Sequence, residues 1–196
     1  MSDVDALALA RHVAVGHLVT NHNSHIESTL LPFAVEHLDD RLVVLGHITA
    51  ANPQRHAIKN GCAGLLIVHG PDAYVSPSLY PSKAEGGRVV PTWNYALVHL
   101  RGSLHVVDQQ DKLLALVSTL TNLNEAHRDI RWSVNDAPAD FIDGQLKAII
   151  GFEMRVDTIE GKAKLSQNRP ASDALAVRDA FLVGTPRQRE VGEMMS

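Results

Sequence analysis

The stretch GGRVVPTWNYALVHLRG, residues 86–102, is the part of the chain on which the fold depends most. Its apolar run predicts a buried β-strand. Its middle, PTWNY at residues 91–95, is unusual for such a strand, because it holds a proline, an amide and two large amphipathic rings. We therefore expect part of this strand to face a ligand or a second protein surface.

The regions on either side of this stretch also predict strands, and these occur in consecutive runs. Apolar or alternating segments cover residues 13–21, 28–36, 39–48, 64–77, 88–107 and 151–161. Gly-Pro-Asp at residues 70–72 predicts a turn inside the fourth segment, and the fifth fits one long strand or a hairpin. Consecutive strands favour a mainly β, α+β fold, an antiparallel sheet or barrel with appended helices, over a doubly wound one.

Helical patterns lie between and after the strands, at residues 5–12, 51–61, 111–128, about 136–150 and about 173–183. The clearest is 111–128, where leucines repeat on one face. The helix at 51–61 has Asn52 as its predicted N-cap, Pro53 at its first position and Gly61 just past its end. The helix that begins near residue 136 is expected to bury Ile149 and Ile150.

Length and composition predict one domain over residues 1–196 with a C-terminal helical extension from about residue 171. Hydrophobic residues make up 45% of the chain, yet no apolar run approaches the roughly 20 residues of a membrane span. The acidic start, with Asp3 and Asp5, does not resemble a secretory signal. The single cysteine, Cys62, excludes an internal disulfide framework. We therefore predict a cytoplasmic protein without a membrane partner.

Charge and motifs exclude several classes of function. A net charge of −4 and a pI near 6.2 argue against direct DNA binding, which relies on clustered lysine and arginine. There is no GxSxG, GxGxxG or Walker sequence. Among the 11 histidines, His22 and His25 are three residues apart, a spacing that separates side chains on a strand unless a turn intervenes. The histidines therefore predict no dedicated metal site, although a haem ligand among them stays open.

What remains is a set of groups that bind anions and rings. Lys83 lies in the loop before the PTWNY strand, and GKAKLSQNRP at residues 161–170 concentrates cations and amides. Cations can hold a phosphate, amides can contact ring edges, and Trp93 can cover a ring face. A polar, solvated turn is the structural alternative for residues 161–170, and a protein interface is the alternative for Trp93.

These segments together resemble the PaiB-like family of FMN-binding negative transcriptional regulators. The resembling blocks run in family order over residues 10–185 and are LLPFAVE, GHITAANPQ, GPDAYVSPSLYPSK, VVPTWNYALVHLRG, the LT…E helix, DAPADFI, IIGFEM and IEGKAKLSQNR. The resemblance implies an FMN-binding split β-barrel with peripheral helices, similar to pyridoxamine phosphate oxidases. It also implies a homodimer that holds FMN between its subunits.

Residue chemistry and resemblance together nominate a set of cofactor-binding residues. These are His47, Asn52, Lys83, Thr92, Trp93, Asn94, Lys164, Ser166, Gln167, Asn168 and Arg169. The chain departs from the family pattern at three places: Thr49-Ala50-Ala51 lacks a usual arginine, and Leu79 and Ala163 replace usual tryptophans. Catalytic residues are not predicted.

Three functions are compatible with the sequence. The first is an FMN-binding regulator, which acts through a metabolite or a partner because the sequence offers no helix-turn-helix signal. The second is a flavin-dependent oxidoreductase of the pyridoxamine phosphate oxidase type, in which the protein orients the flavin. The third is a haem-binding or haem-degrading protein, since split-barrel relatives include such proteins and histidines are abundant.

Overall fold

The computed structural model describes residues 1–195; the predicted C-terminal extension ends at residue 196, outside the described residues. The helices are α1 (Asp3–Val13), α2 (Arg55–Lys59), α3 (Gln110–Glu125), α4 (Ala139–Leu146), α5 (Ala171–Leu182) and α6 (Pro186–Glu193). The strands are β1 (Val15–His22), β2 (His25–Leu38), β3 (Arg41–Thr49), β4 (Ala63–Val75), β5 (Thr92–Val107) and β6 (Ile149–Lys164). Short 3-10 turns lie at Pro77–Leu79, Pro81–Glu85 and Val134–Asp136.

The six strands form a closed barrel in the order β1-β2-β3-β6-β5-β4. Strand β1 pairs antiparallel with β2 and β4, and β3 pairs antiparallel with β2 and β6. This confirms the predicted fold class, an antiparallel barrel with peripheral helices. None of the helices within residues 1–195 combines the length and hydrophobicity that a transmembrane segment needs.

The chain divides into two compact units. One, called here the barrel unit, comprises residues 7–68 and 99–160; the other, the terminal unit, comprises residues 1–6, 69–98 and 161–195. The barrel unit is filled by large apolar side chains with almost no exposure, among them Leu18, Phe33, Leu66, Leu104, Phe152 and Met154. Helix α3 covers β2 and β3 in the same unit, with Leu116 and Leu120 packed on Ala34, Val43 and Leu45. The leucine repeat predicted this buried helix face.

The terminal unit has its own apolar cluster, formed by α5, α6, β4 and the two 3-10 turns after β4. Its buried members are Ala73, Val75, Tyr80, Val177, Phe181 and Val191. Arg187 at the start of α6 donates from Nε to the Asp72 carbonyl (3.1 Å) and from Nη2 to the Asp72 carboxylate (2.5 Å). This contact fixes α6 to β4. Helix α6 lies within the predicted C-terminal helical extension, although no separate helix was predicted over residues 186–193, because PRQREVGE has a single large apolar residue, Val191.

The predicted turn at Gly-Pro-Asp is wrong, since β4 runs unbroken from Ala63 to Val75. These residue types favour a turn, but the strand continues because Asp72 is buried and paired with Arg187 rather than exposed at a loop tip. Strand β5 is likewise one strand of 16 residues and not a hairpin. Within the barrel unit, a glycine at position 102 lets β5 pass close to the Arg155 carbonyl of β6.

Two further sequence predictions need correction. Helix α2 begins at Arg55 and not near Asn52, because the Asn52 side chain accepts the Gln54 N–H (2.9 Å) and makes a turn there. Gln54, not Asn52, is therefore the N-cap. Ile149 and Ile150 belong to β6 and do not extend the preceding helix, which ends at Leu146. A β-branched pair next to a long alternating segment fits a strand better than a helix end.

Candidate functional site

The nominated residues divide between the two units. Those in the terminal unit are Lys83, Thr92, Trp93, Asn94, Lys164, Ser166, Gln167, Asn168 and Arg169; those in the barrel unit are His47 and Asn52. Within residues 1–195, no three histidine, cysteine or acidic side chains lie in an arrangement that could hold a metal ion.

Residues 163–169 of the terminal unit form a turn that is held by its own side chains. Gln167 accepts the Leu165 N–H through Oε1 (2.6 Å) and donates through Nε2 to the Ala163 carbonyl (2.6 Å). Ser166 has a φ of 64°, a left-handed conformation that the surrounding bonds must stabilise. Both ends of the Gln167 amide therefore stabilise the turn that carries Lys164 and Arg169.

This turn is attached to the PTWNY segment by two contacts between side chains. Ser166 donates its hydroxyl to Asn94 Oδ1 at 3.1 Å, and both side chains are buried. The Lys164 ammonium donates to the Thr92 hydroxyl. Asn94 also donates to the Met195 sulfur at 3.5 Å. The amide that is unusual for a strand core therefore joins β5 to the turn and fixes the position of Lys164.

Tyr80 connects two more cations of the terminal unit. The Arg169 guanidinium lies 4.7 Å above the centre of the Tyr80 ring, a cation–π contact. The backbone N–H of Lys83 donates to the Tyr80 carbonyl at 3.1 Å. Tyr80 therefore contacts the backbone of Lys83 and the side chain of Arg169, although the two cations are far apart in sequence.

Asp173 holds the loop that carries Lys83, and sequence reasoning missed it. The Asp173 carboxylate is fully buried and accepts the Ser82 hydroxyl (2.6 Å) and the Ser82 N–H (3.1 Å). An acidic residue in the first turn of a helix is ordinarily explained by the helix dipole. Because its partner lies 91 residues earlier, no local pattern could identify the pair.

Trp93 and Tyr74 form an aromatic surface on the terminal unit. Their ring centres lie 5.9 Å apart in an edge-to-face arrangement, with Trp93 50% and Tyr74 48% exposed. Half-exposed aromatic pairs of this kind are typical of binding surfaces. The rings of PTWNY therefore point outward while its amide points inward.

The two nominated residues of the barrel unit have other surroundings. Asn52 donates its side-chain N–H to the Thr29 hydroxyl at 2.8 Å, which fixes the loop before α2 to β2. In the same loop, the guanidinium of Arg55 donates to the Ala50 carbonyl at 2.5 Å. His47 is half-buried, and this burial lowers the pKa of its imidazole below the usual value.

The donor set of the terminal unit fits a phosphorylated aromatic ring such as FMN. Lys83, Lys164 and Arg169 are cations, and within residues 1–195 no carboxylate pairs with any of them. Cations without a counter-ion are suited to a phosphate, and exposed rings are suited to a flat aromatic ligand. The replacement of the family's usual tryptophans by Leu79 and Ala163 removes ring surface but no cation. Leu79 packs on the apolar cluster, and Ala163 accepts a hydrogen bond through its backbone carbonyl.

Two solved structures of similar fold and low sequence identity are named as flavin proteins. The structure is similar to that of the FAD and haem binding protein from Mycobacterium smegmatis, with a TM-score of 0.60, 15% identity, and coverage of 89% of this chain and 77% of that one. It is also similar to the flavocytochrome Anf3 from Azotobacter vinelandii, with a TM-score of 0.59, 14% identity, and coverage of 83% and 67%. At such identities the likeness shows the fold alone, which is the split β-barrel.

Sequence comparison is more specific. The chain is 30% identical to the protein "Protease synthase and sporulation protein PAI 2" of Bacillus subtilis over 92% of its own length and 84% of the relative's. It is 29% identical to an uncharacterized protein of Emericella nidulans, over 80% of this chain and 75% of the relative. The family described as "Putative FMN-binding domain" matches residues 1–158. As the sequence blocks implied, the chain belongs to this FMN-binding, PaiB-like family.

Proposed function

We propose that the protein binds FMN through the terminal unit and acts as a flavin-dependent regulator. Lys83, Lys164 and Arg169 would hold the phosphate, and Trp93 with Tyr74 would cover the ring. The observation that carries this proposal is the contact of β5 with the 163–169 turn, which orients Lys164. The same unit carries the half-exposed Trp93–Tyr74 pair and further cations that have no ion pair within residues 1–195. Asn94 and Ser166 support the site from beneath and do not contact the ligand.

The proposed affinity is mainly electrostatic in origin. A phosphate carries close to two negative charges at pH 7, and charge-assisted hydrogen bonds from lysine and arginine are about twice as strong as neutral ones. The Lys164 ammonium is already oriented by Thr92, so little side-chain entropy is lost on binding. Bound FMN supplies hydride and electron transfer; the chain's own residues bind and orient it.

Regulation through a ligand or a partner fits the charges better than direct contact with DNA. The arginines of α5 and α6 already have contacts within the protein: Arg178 pairs with Asp179, Arg187 with Asp72, and Arg189 donates to the Gly184 carbonyl. The net charge of the whole chain is −4. A gel shift with genomic fragments at low salt should show no complex, and a complex that disappears with rising salt would contradict this part of the proposal.

FMN titration of the purified protein tests the flavin proposal directly. We expect saturable flavin absorption bands and quenching of flavin fluorescence on binding. Trp93→Ala should weaken FMN binding about tenfold, because base–aromatic stacking contributes roughly 1–3 kcal/mol. Trp132→Ala, which removes the other tryptophan of the chain, is the matched control and should leave FMN affinity unchanged.

Two results would overturn the flavin proposal. One is a protein that shows no spectral change with FMN at any concentration. The other is a protein that ignores FMN but develops a Soret band with haem, which would favour the haem-binding reading of the histidines. Equal FMN affinity of Trp93→Ala and the native protein would remove Trp93 from the site.

We also propose that the protein is a cytoplasmic homodimer and that β1 and β2 of the barrel unit contribute to the subunit interface. The outward positions of these strands carry Val15, Ile26 and Leu30, which are 41%, 74% and 60% exposed. Apolar side chains on the outer face of an antiparallel pair are typical of a covered surface. The second copy is the expected occupant because the family resemblance implies a homodimer.

Leu30→Lys should therefore convert the dimer to a monomer in sedimentation velocity. A lysine on this face would bury its charge without a partner, which costs several kcal/mol. Ile130→Lys is the control, because Ile130 is 91% exposed and lies in the loop after α3. A native protein that sediments as a monomer, or a Leu30→Lys variant that remains a dimer, would contradict this assignment.

A further inference from the structure

A wide-mouthed surface pocket of about 310 Å³, called here the cavity, lies in the barrel unit between β2, β3, α3 and the loop that follows α3. Its apolar walls are Pro32, Val117, Leu120 and Trp132. Its polar groups are His47, Thr121, Asn124 and Glu125. All of these residues belong to the barrel unit, so the cavity shares no residue with the proposed flavin site of the terminal unit.

The rim of this cavity is fixed by Glu125. One carboxylate oxygen accepts the backbone N–H of Trp132 at 3.2 Å, and the other pairs with Arg128 Nε at 3.2 Å. The next residue, Ser133, begins a 3-10 turn with a capping box, and Val134 is buried. The backbone of Trp132 is therefore held by Glu125 on one side and by the 3-10 turn on the other, while its side chain is 46% exposed. A large aromatic residue that is fastened and still half-exposed is suited to contact a ligand.

The polar groups can both donate and accept hydrogen bonds. Burial lowers the pKa of His47, so at pH 7 its ring is neutral, with one nitrogen that donates and one that accepts. Asn124 donates its side-chain N–H to the Leu120 carbonyl at 2.7 Å, which leaves its Oδ1 as an acceptor. The Thr121 hydroxyl adds a group that can serve either way.

The charge of the lining restricts the ligand. No lysine or arginine lines the cavity, and its single charged group is the Glu125 carboxylate. Arg128 at the rim is already paired with Glu125, so a phosphate or carboxylate would have to compete with that carboxylate for it. The volume lies at the lower end of the range for small-molecule sites. A single flat ring fits the apolar walls.

We propose that this cavity is a binding site for a small uncharged nitrogen heterocycle, a ring of the nicotinamide or pyrimidine type. The ring lies against Trp132, its amide or ring N–H groups donate to Asn124 and Glu125, and His47 with Thr121 contacts its acceptor atoms. This assignment does not depend on FMN. It gives a binding role to His47 of the GH block and to Thr121 and Glu125 of the LT…E block.

Nicotinamide and nicotinate are the probes, because they share a ring and differ in charge. The reporter is Trp132 fluorescence in a Trp93→Phe background, in which Trp132 is the one remaining tryptophan. We expect saturable quenching by nicotinamide and at least tenfold weaker binding of nicotinate. His47→Leu should weaken nicotinamide binding about tenfold, the equivalent of one good hydrogen bond, and His47→Gln should restore part of it.

Leu123→Ala is the matched control, since Leu123 is exposed on α3 and does not line the cavity. It should bind nicotinamide like the Trp93→Phe protein. If His47→Leu fails to fold, Thr121→Val replaces it as the test variant. Quenching that does not saturate, equal binding of nicotinamide and nicotinate, or unchanged affinity in the cavity variants would overturn the proposal. Because the reporter is Trp132 alone, the result stands whether or not the protein binds FMN.

Discussion

Asp173→Ala is expected to lower the affinity for FMN about tenfold and to leave the affinity for riboflavin unchanged. The variant removes both acceptors of Ser82, and its N–H and hydroxyl then lack their partners. Because Ser82 is half-buried, each lost hydrogen bond costs about 0.5–1.5 kcal/mol, and the loop at residues 81–85 should leave its present position. Lys83 moves with that loop, and the phosphate of FMN loses one of its cations.

Riboflavin makes this experiment specific, because it has the ring of FMN and no phosphate. A general loss of folding would weaken both ligands, whereas a misplaced Lys83 weakens FMN alone. Isothermal titration of both ligands with the native protein, Asp173→Ala and Ser82→Ala measures the difference. Asp179→Asn on the same helix is the control, since Asp179 is exposed and pairs with its neighbour Arg178.

The possible outcomes separate two questions. If the native protein binds no FMN, the flavin proposal itself fails. If the native protein binds FMN and Asp173→Ala binds FMN and riboflavin as before, the flavin proposal survives and the role of Asp173 in positioning Lys83 is refuted. Equal weakening of both ligands would likewise refute a role through the phosphate.

Gly102→Ala is expected to destabilise the protein by about 3 kcal/mol or more, the largest effect of any conservative substitution considered. A Cβ at this position would lie 1.8 Å from the Arg155 carbonyl oxygen and 2.6 Å from its carbon. Because both atoms are backbone atoms of β6, no side-chain rotation can relieve the overlap. Strands β5 and β6 would have to separate locally.

Urea unfolding followed by circular dichroism measures this change, with Gly144→Ala as the control. Gly144 lies in α4, and a Cβ there would meet no atom within 4 Å. Alanine in a helix interior is favoured over glycine by roughly 0.5–1 kcal/mol, so the control should be neutral or slightly stabilising. A Gly102→Ala variant with native stability would show that β5 and β6 do not approach each other as closely as described.

Local patterns predicted the parts of this protein that depend on neighbours in sequence. The leucine repeat of α3 and the alternation in β6 are of this kind, and both are present. The blocks PTWNY and KLSQNR were also recognised, because their composition is unusual wherever they lie. For the same reason the family could be identified from the sequence before any contact was known.

Patterns failed where a distant partner decided the outcome. Gly70-Pro71-Asp72 has turn chemistry, but the Asp72 carboxylate is paired with Arg187 of α6, 115 residues later, and the strand continues. The surroundings of His47, which include α3, likewise depend on distant residues, and its role as a cofactor ligand stays a prediction. Neither partner can be deduced from residues nearby in the chain.

The sequence by itself determined the strand-rich class, the amphipathic α3 and the family, because these depend on periodicity and on residue types in a fixed order. Tertiary structure alone decided which way each residue of PTWNY faces. Alternation places Trp93 and Asn94 on opposite sides of β5. The hydrogen bond from Ser166 to Asn94 is what makes the amide side the inner one. Hydrogen-bond satisfaction of a buried amide is a property of the folded molecule, and it sets the outward face on which the proposed flavin ring would lie.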